Sequence, residues 1–280
     1  MIVTIVGLGL MGGSAAIDLK KRGLASHIIG VDHDSINANA AMHIGFVDEL
    51  LELDEAVEKA ELVILAIPVD AALRVLPKIL DKVDKQVVTD MCSTKGKLLE
   101  WVKYHPKRKQ YVAAHPMAGT EFSGPWAAIS NLFDGKAVIM CDTEDSDIRA
   151  LALVKRMFET LNMRVIYMNG ANHDVHAAYI SHISHISSFA LALTVLDKEK
   201  NEKHIFDLAS GGFDSTVRLA KSSADMWAPI FEQNKENVIT VLNTYISKLK
   251  EFRKHIENDE PEKIRQLIQD SNRIKRVLFK

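Results

Sequence analysis

Short apolar runs rich in β-branched residues alternate with longer amphipathic stretches over the first 169 residues. Several runs are apolar at consecutive positions, which is typical of parallel strands covered by helices on both faces. The predicted strands are residues 2–6, 28–32, 62–67, 86–90, 110–114, 137–141 and 164–168, with helices such as 13–21, 70–80 and 148–161 between them. This alternation predicts an α/β domain with a doubly wound, mostly parallel sheet.

The pattern changes after residue 169, where strand-like runs stop and helical periodicity begins. Apolar residues recur at helical spacing between 237 and 257, and a last helix is predicted near Asp259, with Pro261 in its first turn. We therefore predict two domains, an α/β domain of residues 1–169 and an all-α domain of residues 170–280. A continuous apolar stripe must be buried, either against neighbouring helices or against a second copy of the chain. We favour a homodimer formed through the helical domain.

Composition narrows the classes of partner. The chain has 280 residues, of which 47% are hydrophobic and 26% charged, with 35 basic and 37 acidic side chains and a formal charge of −2. No broad electrostatic field favours nucleic acid or an anionic membrane, so an anionic ligand would need a local cluster of cations. Only two cysteines are present, and no apolar run approaches the ~20 residues of a membrane span. These features predict a soluble protein of the cytoplasm with no nucleic-acid or membrane partner.

A glycine-rich segment of the form G-x-G-x-x-G follows the first predicted strand and opens the first helix. It contains Gly7, Gly9, Leu10, Met11 and Gly12. The first glycine permits a tight turn, the second lets the backbone approach a pyrophosphate, and the third allows close packing of helix on strand. The phosphates would meet the positive end of the helix dipole. Alone the motif is weak, and a glycine turn that binds nothing is the alternative.

Asp32 strengthens the case because it ends the next predicted strand, twenty residues beyond Gly12. Its carboxylate is placed to accept hydrogen bonds from the ribose hydroxyls of an adenosine, and it would repel a 2′-phosphate. Motif and acid together predict a Rossmann dinucleotide-binding domain that prefers NAD to NADP.

Two polar segments follow the fourth and fifth predicted strands. They are DMCSTKG, residues 90–96, and HPMAGTE, residues 115–121. Ligands of open α/β sheets bind outside the carboxyl ends of the strands, so we expect Ser93 and His115 to face each other near the nicotinamide ring. No G-x-S-x-G nucleophile elbow is present. We therefore interpret the serine as an orienting partner for a general base.

At this point the chain resembles the prephenate/arogenate dehydrogenase family. The resemblance runs in order from residue 2 to about 245 and rests on GLGLMGGS, DMCSTKG, HPMAGTEFSG, SHISH and GGFDSTVRLAKSSADMW. It implies an NAD-dependent oxidoreductase of tyrosine biosynthesis, acting on a CH–CH group, that oxidatively decarboxylates prephenate to 4-hydroxyphenylpyruvate. In that reaction a hydride passes to NAD, the ring hydroxyl loses its proton, and carbon dioxide leaves as the ring aromatises. The main alternative is an arogenate dehydrogenase that yields tyrosine directly.

The resemblance also implies roles for individual residues. The family's catalytic histidine falls on His115, whose imidazole, with an ordinary pKa near ~6.5, suits removal of a hydroxyl proton. Its orienting serine falls on Ser93. Arg218 matches the arginine that grips a substrate carboxylate through a planar fork. We also expect a monofunctional enzyme without an appended regulatory domain.

His182 and His185, in SHISH, share a helix face and by resemblance line the substrate side of the cleft, although plain helix packing is the alternative. A third metal ligand is not obvious there, and we expect no metal. Relatives often place an acid three residues before the arginine, where this chain has Ser215. Glu121 then remains as the candidate partner of Arg218.

Two rival functions stay open. A β-hydroxyacid-type dehydrogenase shares the architecture but relies on a lysine in the helical domain, whereas this chain offers a histidine and a serine after the strands. A non-catalytic NAD-sensing module would bind the cofactor without turnover and would make no use of His115 or Arg218.

Overall fold

Strands and helices alternate through the first two thirds of the chain in a computed structural model, which describes residues 1–200 and 204–278. The strands are β1 (Ile2–Val6), β2 (His27–Val31), β3 (Glu49–Leu50), β4 (Leu62–Leu65), β5 (Val87–Asp90), β6 (Tyr111–Pro116), β7 (Ala137–Cys141) and β8 (Arg164–Met168). The helices before residue 170 are α1 (Leu10–Lys21), α2 (Ser35–Ile44), α3 (Leu53–Lys59), α4 (Val69–Lys82), α5 (Gly96–Val102) and α6 (Ile148–Thr160).

Helices account for nearly all of the described residues after Met168. They are α7 (Gly170–Ala177), α8 (Ile183–Glu199), α9 (Gly211–Val217), α10 (Ala224–Gln233), α11 (Lys235–Glu257), α12 (Pro261–Ser271) and α13 (Lys275–Leu278). A π-helical turn, Ala178–His182, joins α7 to α8, so that one helical stretch runs without a break from Gly170 to Glu199.

Within the described residues the strands form one sheet in the order β3-β2-β1-β4-β5-β6-β7-β8. All neighbouring pairs are parallel except β6 and β7, which run antiparallel. The central strands β4 and β5 are buried at every position because helices cover both faces of the sheet. Two apolar clusters, one on each face, form the core. The predicted fold class, a Rossmann-type α/β region followed by helices, is confirmed.

Several strand ends differ from the prediction by one or two residues, and the differences at β3 and β6 alter the expected sheet. β3 was not predicted, since it has only two residues and no recognisable apolar pattern. β6 extends to Pro116 rather than ending at residue 114, because its last residues pair with β7, with His115 opposite Ile139. His115 therefore belongs to a strand rather than to the loop after it.

The chain divides into two compact units, Met1–Lys235 and Glu236–Lys280. Helices α7 to α10 belong to the first unit: α7 packs on α5 and β7, and α10 packs on α4. The boundary predicted near residue 170 marks the change from alternating strands and helices to helices alone, and as a domain boundary it stays a prediction.

Candidate functional site

The glycine-rich segment forms a tight loop between β1 and α1. Gly7 adopts a positive φ of 98°, and a Cβ at this position would lie 2.5 Å from the carbonyl oxygen of Ala66. A Cβ on Gly12 would lie 2.0 Å from the carbonyl oxygen of Gly7 and 2.9 Å from Ile5 Cγ2. Both positions therefore require glycine on steric grounds alone.

Gly9 differs from these two glycines. A Cβ there would meet only the backbone nitrogen of Gly124, at 3.9 Å, so the protein itself leaves the space beside Gly9 open. Gly9 caps α1, and Leu10 and Met11 form the first turn of this helix. Open space at the N-terminal end of α1, beside β1 and β4 where the strand order reverses, fits the pyrophosphate of a dinucleotide.

Asp32 follows β2 and fastens this loop. Its Oδ2 accepts a hydrogen bond from the Leu8 backbone nitrogen at 2.8 Å, and its Oδ1 accepts one from the Asp34 nitrogen at 3.0 Å. Each carboxylate oxygen has a further lone pair with which to accept a ribose hydroxyl. The acid thus has a structural role that the motif did not predict, beside the cofactor role that it did.

His115 lies at the carboxyl end of β6, next to β5, which leads into the loop that carries Ser93. The imidazole is buried, and its Nδ1 lies 2.8 Å from Nε2 of His173. His173 in turn places its Nδ1 2.8 Å from Asp174 Oδ1. We call these three residues the histidine chain. In the described residues no hydrogen bond joins Ser93 to His115, whose imidazole contacts His173. The orienting role of Ser93 stays a prediction.

The loop between β5 and α5 anchors the acidic end of the histidine chain. The backbone nitrogens of Lys95 and Gly96 donate to the two oxygens of Asp174, each at 2.8 Å. The Lys95 side chain is fully buried and forms an ion pair with Asp90. Burial alone would lower the pKa of Lys95, but the Asp90 carboxylate outweighs it and raises the pKa. The Lys95–Asp90 ion pair is thus buried next to the histidine chain.

Asp90 also ties this pair to the strand of His115. Its Oδ1 accepts hydrogen bonds from the Tyr111 hydroxyl at 2.7 Å and from the Ala114 nitrogen at 3.1 Å, both on β6. Burial, followed by the neighbouring Asp90 carboxylate, raises the pKa of Tyr111. The hydroxyl therefore keeps its proton and donates a hydrogen bond to Asp90. The residue before His115 is therefore held by the same carboxylate that binds Lys95.

The electrostatic surroundings keep His115 uncharged. Burial is the largest cause that lowers its pKa well below 6.5, and His173, Lys95 and His182 add to it. A neutral imidazole at pH 7 has a lone pair free to accept a proton, which is the state a general base needs.

Arg218 contacts the loop that follows His115. Its Nη1 lies 2.9 Å from Glu121 Oε2, with the guanidinium half-exposed and Glu121 largely covered. Asp214, an acid one position before Ser215, pairs with Lys221 at 3.2 Å. Glu121 is thus the observed partner of Arg218, and the half-exposed guanidinium can still receive an anionic ligand.

His182, at the end of the π-helical turn, and His185, in α8, lie in an aromatic cluster with residues of α10. His185 stacks on Trp227 with 3.5 Å between ring centroids, and its Nδ1 donates to the Ser181 carbonyl at 3.1 Å. His182 is fully buried, with Nδ1 3.3 Å from Asn234 Nδ2 and no partner for Nε2 in the described part of the chain. Burial lowers its pKa to about 4. Contact with substrate stays a prediction for both histidines.

No role was predicted from the sequence for His173, Asp174 or Lys95. The available signal was the adjacent His-Asp pair at the start of a predicted helix, directly after the last strand. In the described ranges, no group of three or more histidine, cysteine, aspartate or glutamate side chains could hold a metal ion.

Comparison with known proteins identifies the family. The family model for the nucleotide-binding domain of prephenate dehydrogenase matches residues 15–167, and the model for the prephenate dehydrogenase dimerization domain matches residues 169–270. The chain belongs to the prephenate dehydrogenase family. It is therefore an oxidoreductase with a nucleotide-binding region, as the sequence predicted.

Individual members of the prephenate dehydrogenase family agree with this assignment. The prephenate dehydrogenase of Bacillus subtilis (strain 168) is 30% identical over 266 residues, which cover 94% of this chain and 72% of that protein. The crystal structure of prephenate dehydrogenase from A. aeolicus in complex with hydroxyphenyl propionate and NAD+ has a TM-score of 0.88 and 33% identity, covering 100% of this chain and 98% of that one. Synechocystis arogenate dehydrogenase has a TM-score of 0.75 and 26% identity, covering 98% and 99%.

Proposed function

We propose that this chain is an NAD-dependent dehydrogenase that oxidatively decarboxylates prephenate to 4-hydroxyphenylpyruvate, with His115 as the general base. The observation that carries the assignment of the base is the buried, uncharged imidazole of His115 at the carboxyl end of a central strand. The family supports the activity, and the relative from A. aeolicus is described with NAD+ and a hydroxyphenyl ligand bound. A β-hydroxyacid dehydrogenase or a cofactor-sensing module would not need this histidine.

The glycine loop fits NAD. Gly9 leaves open space at the N-terminus of α1, and Asp32 directly follows β2 with lone pairs free for a ribose. Gly7, Gly12 and the first turn of α1, with Leu10 and Met11, would complete the binding site. When bound there, NAD supplies the acceptor for the hydride of the substrate.

The remaining chemistry falls to side chains of this protein. His115 accepts the proton of the ring hydroxyl as the hydride departs, and release of carbon dioxide leaves an aromatic ring. Arg218 binds a carboxylate of the dianionic substrate while Glu121 orients the guanidinium. Ser93, His182 and His185 are proposed as further contacts with substrate or base.

The homodimer is part of this proposal. The helical stretch Gly170–Glu199 is, by length and composition alone, long and apolar enough to cross a membrane. Only 11% of its most apolar 18-residue segment is buried. Its first half nevertheless carries His173 and Asp174, buried polar side chains of the histidine chain that a bilayer would not satisfy. The exposed leucines Leu191, Leu193 and Leu196 would instead face a second copy, in keeping with the matched dimerization domain. A monomer in sedimentation velocity at micromolar concentration would overturn this part of the proposal.

Substitution of two residues tests the assignment. His115→Asn should lower kcat for prephenate by about 10²–10⁴-fold with little change in KM, because only the proton acceptor is lost. Arg218→Ala should raise KM by about 10- to 150-fold, equivalent to the ~1.5–3 kcal/mol of a charged hydrogen bond. Lys221→Ala removes a neighbouring exposed cation and serves as the control.

A loss of kcat below fivefold in His115→Asn would contradict the base assignment, and an unchanged KM in Arg218→Ala would remove the arginine from the substrate site. Parallel measurement of kcat/KM for prephenate and arogenate, each with NAD and NADP, decides between the two substrates and the two cofactors.

A further inference from the structure

The structure assigns a positioning role to His173 and Asp174: we infer that they hold a proton on Nδ1 of His115 and thereby leave Nε2 as the basic nitrogen. This inference rests on the proposed function only in treating His115 as the base. It concerns which of two ring nitrogens carries a proton, a property that exists in the resting protein whether or not substrate is present.

The direction of the hydrogen bonds is fixed at the Asp174 end. The backbone N–H groups of Lys95 and Gly96 can only donate, so both oxygens of Asp174 must accept. Oδ1 also lies 2.8 Å from Nδ1 of His173. An ionised carboxylate can only accept, so Nδ1 of His173 is the donor.

The same reasoning passes along the histidine chain to the base. A neutral His173 that carries its proton on Nδ1 presents a lone pair at Nε2. His115 Nδ1, 2.8 Å away, must then donate to this lone pair. A neutral His115 ring carries a single N–H proton, which is therefore on Nδ1. The lone pair of Nε2 is available to the hydroxyl of a substrate.

The arrangement also serves the protonated base. When Nε2 of His115 takes a proton, the ring becomes an imidazolium whose Nδ1–H still points along the chain toward the Asp174 carboxylate. The other titratable groups near His115 are His182 and the Lys95–Asp90 pair. None of these others is hydrogen-bonded to the His115 ring in the described part of the protein, so control of its tautomer comes from His173.

Close packing holds Asp174 in place. A Cβ on Gly96 would lie 2.9 Å from Asp174 Oδ2, which means that a larger residue at the start of α5 would push the carboxylate away. The histidine chain thus depends on an approach of backbone to carboxylate that glycine permits. A purely structural explanation, in which His173 and Asp174 only fasten α7 to the α5 loop, predicts no particular tautomer for His115.

The tautomer can be observed directly. Two-bond ¹H–¹⁵N correlation spectra of the full-length protein labelled with ¹⁵N-histidine distinguish Nδ1–H from Nε2–H, and the His115→Asn spectrum identifies the signals of residue 115. We expect Nδ1–H on His115 in the wild type. His173→Leu should shift His115 to Nε2–H, while His173→Gln should keep Nδ1–H, because a glutamine amide can accept from His115 and donate to Asp174.

Kinetics supply the second readout. His173→Leu should lower kcat by about 10²–10⁴-fold, as expected for a base in the wrong tautomer, with KM and the Kd for NAD nearly unchanged. His173→Gln should recover at least about tenfold of that loss in kcat. His176→Gln, at an exposed position on the same helix, is the matched control and should behave as the wild type.

Nε2–H on His115 in the wild type, or full kcat in His173→Leu, would overturn the inference. If His173→Leu does not fold, the wild-type and His173→Gln spectra still decide. Should His115→Asn keep its activity, the base assignment itself fails. Should His115→Asn be inactive while wild-type His115 carries Nε2–H, only the role of His173 and Asp174 fails.

Discussion

The glycine loop and the histidine chain are built in opposite ways, although both lie at carboxyl ends of strands in the same sheet. The loop is a backbone structure: its glycines lie within six residues, and their constraints come from the backbone carbonyl groups of Ala66 and Gly7. The histidine chain is made of side chains from β6 and α7, held by the loop before α5 and by a buried ion pair. The motif of the first site lies within six residues, whereas the side chains of the second meet through contacts between residues 58 to 79 positions apart. The second is therefore expected to be more sensitive to a single substitution.

The largest expected effect comes from breaking the buried ion pair beneath the histidine chain. Lys95→Met leaves the Asp90 carboxylate buried without its counter-ion, although Tyr111 and Ala114 still donate to it. We expect the free energy of unfolding to fall by about 3–5 kcal/mol, measured by urea denaturation. Lys97→Met, on the exposed side of α5, is the control and should change stability by no more than about 0.5 kcal/mol. Equal stabilities for the two variants would show that the ion pair is dispensable.

The next largest expected effect is a dependence of stability on pH. It should arise at the histidine chain, because the buried histidines lie near it and not near the glycine loop. The pKa of His182 falls from 6.5 to about 4 in the folded protein. Between these values the unfolded chain binds a proton at His182 that the folded chain does not, so acid favours unfolding. Above pH 6.5 His182 does not lower the free energy of unfolding. As pH falls toward 4, the free energy of unfolding decreases by up to about 3 kcal/mol because of this residue.

His115 and His185, whose pKa values are also lowered by burial, act in the same direction. Urea denaturation at pH 7 and pH 4.5 should therefore show a loss of stability in the wild type and a smaller loss in His182→Gln. His176→Gln should retain the full loss, because this histidine is exposed. An identical loss in both variants would remove His182 from the acid response.

The smallest effects belong to the glycine loop, where two substitutions separate folding from cofactor binding. Gly12→Ala places a Cβ against the Gly7 carbonyl and should lower the free energy of unfolding by about 1–3 kcal/mol. Gly9→Ala meets no close neighbour and should cost less than about 1 kcal/mol of stability. It should nevertheless weaken NAD binding about tenfold, because the methyl group enters the space assigned to the pyrophosphate. Isothermal titration with NAD measures this, and unchanged binding would exclude Gly9 from the cofactor site.

The sequence predicted most of the fold because the strands are continuous apolar runs of four or more residues. The exception is β3, which pairs with β2 through only Glu49 and Leu50. The cofactor loop was also predictable, since its motif consists of glycines a few residues apart. Whether the domain boundary lies near residue 170 is not decided by the compact units, which divide at Lys235.

The histidine chain could not be predicted to the same degree. Helical periodicity indicates that His173 faces the core, but it does not indicate which side chain it meets. Lysines are ordinarily exposed, whereas Lys95 is buried in an ion pair with Asp90, and the apolar pattern does not indicate this burial. The contact of Arg218 with Glu121 was anticipated only because a resemblance to relatives directed attention to an acid.

The π-helical turn at Ala178–His182 affects how the faces of the long helix are arranged. In a regular α-helix, His173 and His182 would lie on opposite sides, since nine residues at about 100° each amount to two and a half turns. The wider π-helical turn accommodates an extra residue and so rotates the following turns of helix about the axis. With this rotation, His173 and His182 are both buried. Deleting one residue from this turn would restore regular winding and swing the exposed leucines of α8 around the axis by about 100°. One turn of backbone thus sets the angle between the buried histidines and the proposed subunit contact.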